Sequence, residues 1–149
     1  MATNGFLQLY TAAGGTSATN YNNAAMPDPT LPNGLVAPLW DDLRGTGATS
    51  LSVQTVGAAP ARTLVVEWDN WQFYADPQAV LRFQAHLMEG TSVVEFHYCT
   101  LNGSPANPGL ASGSAATIGL EDLTGNVANA WSFNTASSVS TTSALRFQP

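Results

Sequence analysis

The chain has 149 residues, one domain's worth, and a chain of that size can bury roughly 68–70% of its unfolded surface. Hydrophobic residues make up 44% of it but charged residues only 9%, and a net charge of −6 rests on ten carboxylates, four arginines and no lysine. This balance excludes the basic footprint that nucleic acid or anionic lipid requires, the missing lysine excludes Schiff-base and phosphate-loop chemistry, and one cysteine with two histidines excludes a Cys-rich zinc site.

Serine, threonine, asparagine, glutamine and glycine carry the polarity that charge usually supplies, which fits a secreted, β-rich protein. Helical periodicity is almost absent. Period-2 alternation punctuated by Gly, Pro and Asn predicts an antiparallel sandwich or barrel. Residues 6–10 (FLQLY) alternate as a strand, and residues 11–34, polar and holding three prolines, read as a long surface loop. Residues 35–39 lead into Trp40-Asp41-Asp42; residues 50–56 form a short strand, and 57–60 turn the chain.

Residues 62–71 are the next strand, with Leu64, Val66 and Trp68 on one face and Val65, Glu67 and Asp69 on the other. A bulge at Asn70 lets Trp71 and Phe73 continue on either face, so Trp68 is expected in the core while Trp71, Phe73 and Tyr74 stay open. Residues 80–99 are the clearest signal, two alternating runs joined at Glu89-Gly90. A two-residue loop there pairs Ala85 with Val94, Phe83 with Phe96 and Leu81 with Tyr98; a four-residue loop shifts the register but keeps the faces. The opposite face carries Arg82, Gln84, His86, Glu95 and His97. Residues 102–114 form a second loop containing the sequon Asn102-Gly103-Ser104, and residues 116–120, 130–134 and 143–147 read as three closing strands. Cys99, alone at the end of an apolar strand, is expected to be buried and inert.

Several constellations could carry function. Asp41 and Asp42 near a strand end are candidate calcium ligands, with Asp69, Glu121 and Asp122 as further oxygens; the plainer reading is a turn cap paired with Arg44. Glu67 and Asp69 share a face as a glycosidase acid/base pair would, but nothing else suggests a cleft, so they read as solvated residues paired with Arg62 or Arg82. His86 and His97 share the hairpin's polar face without standing directly opposite, and read as surface histidines rather than a two-His metal site. Trp71, Phe73, Tyr74 and Trp131, with Asp69 beside them, are either core and end-closing aromatics or a stacking platform for glycans. No catalytic residue is assigned and no cofactor other than calcium enters.

In order, NGFLQLY, LVAPLWDDL, RTLVVEWDNW, FQAHLMEGTSVVEFHY, SAATIGLEDLTG and ALRFQP resemble the nidogen-like (NIDO-like) extracellular domains of animal matrix proteins and large secreted bacterial proteins, the bacterial form more closely. The resemblance spans nearly the whole chain and is weakest over residues 11–30. It implies a single domain, residues 1–149, folded as an all-β, jelly-roll-like antiparallel sandwich of about eight to ten strands. It also implies a secreted or cell-surface module for adhesion or assembly, without catalysis, whose partners are other protein chains, copies of itself among them. In similar domains the N-G-hydrophobic motif follows one or two earlier strands, yet here it begins at Asn4. The missing strands are dispensable, trimmed away, or supplied by another molecule. On the last reading Gly5, Phe6, Leu7, Gln8, Leu9 and Tyr10 form an edge open to strand addition. No apolar stretch is long enough to span a membrane, and residues 1–10 lack a signal peptide's basic start and apolar run, so an exported chain would carry its signal on a longer precursor.

Overall fold

The computed structural model describes residues 3–9 and 20–148. Ten strands occur among them: β1 (Leu7–Gln8), β2 (Leu35–Trp40), β3 (Leu43–Arg44), β4 (Ser50–Val56), β5 (Thr63–Phe73), β6 (Val80–Met88), β7 (Val94–Asn102), β8 (Thr117–Glu121), β9 (Ala128–Phe133) and β10 (Ser143–Phe147). They form two antiparallel sheets. One has the order β1-β2-β8-β9; the other runs β10-β7-β6-β5-β3, with β4 pairing β5 along the stretch that β3 leaves free.

The inner faces of the two sheets supply the main core. Val66 and Trp68 of β5, Leu81, Phe83 and Ala85 of β6, and Phe96 and Tyr98 of β7 pack against Leu7, Val36, Leu39 and Ile118 of the opposite sheet. Alternation explains this, because every second residue of a strand points the same way. Tyr98 ties the layers together: its hydroxyl donates to the Pro38 carbonyl across the core at 2.8 Å. That carbonyl lies where the β2–β8 register shifts between Ala37 and Trp40, a place where proline's missing N–H costs the ladder nothing.

All six β2 residues are buried, because the strand is covered on both sides. Outside it the segment 20–33, expected as a surface loop, folds onto β2 and β8. Phe6, Met26, Leu35, Ala37 and Trp40 form a second small core there. The segment is held by Thr117 Oγ1 donating to the Ala24 carbonyl (2.7 Å), the Asp28 N–H donating to Glu121 (2.9 Å) and Trp40 Nε1 donating to the Asn20 carbonyl (3.1 Å).

Two local expectations meet the structure directly. Asn70 is a bulge: its φ is +59°, and the β5–β6 register shifts between Asp69 and Trp71. In the β6–β7 hairpin the faces are as read but the register is the four-residue alternative. Ala85 faces Phe96, Phe83 faces Tyr98 and Leu87 faces Val94, so the pairing from a two-residue loop is corrected. The Met88 N–H donating to the Val93 carbonyl closes the loop over residues 89–92. A second bulge lies on β7, where Cys99 is the extra residue between Tyr98, paired with Phe83, and Thr100, paired with Arg82; Cys99 is half-buried rather than buried.

Candidate functional site

The outer face of the larger sheet carries the densest polar chemistry. In register, Glu67 of β5 faces Gln84 of β6, Gln84 faces His97 of β7, His86 faces Glu95, and Glu95 faces Arg146 of β10. These side chains connect across four strands. Arg82 Nε donates to Glu67 (3.1 Å) and lies 3.6 Å from Asp69. The Gln84 amide donates to Glu67 through Nε2, while its Oε1 is 2.7 Å from His86 Nε2. His97 Nε2 is 3.0 Å from Glu95 Oε2, and the other Glu95 oxygen accepts from Arg146.

Although the two histidines are diagonal in the ladder, their rings stack with centroids 4.2 Å apart and planes 29° from parallel. Partial burial pushes the His86 imidazole below its ordinary value, the neighbouring His97 acts the same way, and Glu95 opposes both. Glu95 is held below the usual carboxylate range by hydrogen bonds from His97 and Arg146, against a smaller cost of burial. One ring nitrogen from each histidine and one Glu95 oxygen lie within 4.8 Å of one another, the one such grouping of three potential metal ligands among the described residues. Sequence reasoning put all three on one face but did not bring them together. The carboxylates proposed as an acid/base pair are engaged by Arg82, as the plainer reading held; Arg62 instead pairs with Glu89.

The aromatic platform is dismantled by the bulge. Trp71 is 5% and Phe73 1% exposed, and the Trp71 indole N–H donates to the Ser50 carbonyl at 2.8 Å. The extra residue at Asn70 resets the phase of β5, so both rings point into the core and offer no face to a sugar. Tyr74 is exposed, with the Arg44 guanidinium 5.8 Å from its ring centroid, and Trp131 is exposed on β9. Of the aromatics at 71–74 only Tyr74 is exposed, and a single tyrosine is not the expected surface.

Asp41 and Asp42 follow β2 as expected, but no third His, Cys, Asp or Glu joins them at metal-binding spacing among the described residues. Asp41 Oδ1 accepts from the Asp42 N–H at 2.7 Å, a local cap, whereas Oδ2 is buried without a partner. Burial, and less so the Asp42 charge, push this carboxyl up to about 6, against the Asp42 hydrogen bond. A carboxyl whose pKa is raised by folding stabilises the fold most below its unfolded value of 3.8, and that contribution is lost as pH rises through about 6. Asp41→Asn removes the buried charge. It is expected to stabilise the protein at pH 7.5 by about 1–2 kcal/mol, after discounting the shift for partial solvent screening, and to do nothing favourable at pH 4. Thermal melts at the two pH values check this, and an equal change at both would show that the charge is not the cause.

Of the expected assembly edge, Gly5, Phe6 and Leu7 are buried by their own chain and Gln8 is partly buried. Leu9 is exposed at the mouth of an apolar groove of about 370 Å³ that also contacts Leu35, Val94, Leu120 and Val127; Tyr10 lies outside the described residues.

Two antiparallel sheets stacked through their inner faces define an all-β sandwich. The chain belongs to the NIDO-related (nidogen-like) family, whose match covers residues 1–149. The family is one of non-catalytic modules of extracellular type. Comparison with curated proteins and with solved structures returned no match. No helix among the described residues is long and apolar enough to cross a membrane.

Proposed function

We propose that the domain is a non-enzymatic extracellular interaction module that associates with copies of itself, and that β4 is the contact edge. The observation that carries this reading is β4 itself. Its seven residues, SLSVQTV, pair with β5 on one side only, and among the described residues nothing pairs with the other side. Natural edge strands are usually guarded by charge, proline, a bulge or extreme shortness. β4 contains no charged residue and no proline, its ladder to β5 runs without a register shift, and Val53 and Val56 are 48% and 46% exposed. β1, by contrast, has two residues, and Leu7 is committed to its own core.

Antiparallel pairing of two β4 strands centred on Val53 joins two six-stranded sheets edge to edge through a two-fold axis, the commonest symmetry of homo-oligomers. Backbone hydrogen bonds supply affinity in such strand addition, and alternate side chains supply register. The test is native mass by light scattering over a range of concentrations. The wild type is expected to be a dimer or larger, and Val53→Lys a monomer with an unchanged circular dichroism spectrum, since Val53 is half exposed and a lysine there is solvated. A wild type that is monomeric at every concentration overturns the reading.

A further inference from the structure

We propose that His86, Glu95 and His97 form a binding site for one divalent transition-metal ion of the zinc and copper class, with the remaining coordination positions open to solvent. The inference stands on the geometry of the outer sheet face and is independent of how the chain associates.

The ligand set comes first. Two imidazoles and one carboxylate are the mixed nitrogen and oxygen donors that suit zinc, copper and nickel, whereas calcium and magnesium are bound through oxygen. Spacing comes second. Two ligand atoms each about 2.0–2.1 Å from a common ion, at right to tetrahedral angles, sit about 2.8–3.4 Å apart. His97 Nε2 and Glu95 Oε2 are already 3.0 Å apart, and the His86 donor completes a triangle with no side longer than 4.8 Å. An ion there takes the place of the His97–Glu95 hydrogen bond, the hydrogen on the His97 ring nitrogen passing to the other ring nitrogen or to solvent, and His86 supplies the third bond.

Support around the ligands is the third argument. Metal-binding histidines and carboxylates are usually held by outer hydrogen bonds that set their orientation. Gln84, itself fixed by Glu67, holds the His86 ring, and Arg146 holds the Glu95 oxygen that does not face His97. All three ligands project from paired strands, Glu95 directly opposite His86 and two residues before His97. Their backbone spacing is therefore set by the sheet rather than by a loop. None of the three is fully buried, so an ion can enter from solvent.

The experiment is isothermal titration of the tag-free protein with zinc chloride and with copper(II) chloride, with calcium chloride as a comparison. Imidazole resonances are followed by NMR in parallel. One zinc or copper ion per chain is expected, with selective shifts of His86 and His97 signals and no calcium heat. His86→Ala and His97→Ala are each expected to weaken binding about a hundredfold or more, since removing even an outer support commonly costs 10–100-fold. Should either variant lose its native circular dichroism spectrum, the wild-type imidazole shifts and Glu95→Gln decide. No 1:1 binding, or binding that survives both histidine substitutions in folded variants, overturns the proposal.

Discussion

Trp68→Ala is expected to destabilise the domain by about 3–5 kcal/mol, the usual cost of emptying a large aromatic site in a packed core. Trp68 is fully buried and faces Phe83 in the β5–β6 ladder, with the two rings stacked at 5.0 Å between centroids and 15° between planes. On its other side Leu51 of β4 is the cross-strand partner, so the indole spans three strands of the larger sheet. Removing it takes away dispersion contacts and leaves a void that strands on both sides are too well paired to fill. For a chain of this length the loss corresponds to a fall of about 10–15 °C in melting temperature. Urea unfolding followed by circular dichroism gives the number directly, and a loss below about 1 kcal/mol would mean that β4 and β5 collapse into the space far more freely than their ladder suggests.

Gly5→Ala should match or exceed that effect through backbone geometry rather than packing. Gly5 has φ +77°, where a side chain is strained, and a Cβ there would stand 1.8 Å from the Leu39 carbonyl oxygen and 2.7 Å from its carbon. Both atoms are backbone, so no rotamer can relieve the clash. The chain must move, and it moves where β1 is joined to β2, because the Leu39 N–H donates to the Gly5 carbonyl and the Asp41 N–H to the Asn4 carbonyl. A destabilisation of about 3 kcal/mol or more is expected from the steric and conformational terms together. Hydrogen exchange at the Leu39 and Asp41 amides distinguishes local release of β1 from global loss. Gly47→Ala is the comparison, since a Cβ there meets nothing within 4 Å and should be close to neutral. Equal behaviour of the two variants would contradict the geometry.

Much of the fold was legible because period-2 alternation carries burial directly. The β6–β7 runs displayed their inner residues, Leu81, Phe83, Ala85, Phe96 and Tyr98, whichever loop joined them, since both loop lengths preserve parity. The positive φ at Asn70 was legible as a bulge for a chemical reason: asparagine tolerates that conformation better than its neighbours. β3 was missed because a two-residue strand has no period to read. The covering of β2 by residues 20–33 was missed because that segment's polar composition resembles a solvated loop, while its anchors, Met26 and the Ala24 carbonyl, carry no local signal.

By itself, then, the sequence determined the class of protein, its paired faces and the aromatic and aliphatic residues that could form a core, because alternation and composition are local properties. Only the tertiary structure decided the rest. The Asn70 bulge turned Trp71 and Phe73 inward, since one inserted residue reverses the phase of everything after it. The register of β6 against β7, with its own bulge beside Phe83, brought His97 and Glu95 to His86. The pairing of β5 with β3 and β4 along different stretches left β4, rather than β1, as a long, uncharged edge without a bulge. Each of these depends on which strand lies beside which and at what offset, and such pairing is set by contacts between residues far apart in the chain.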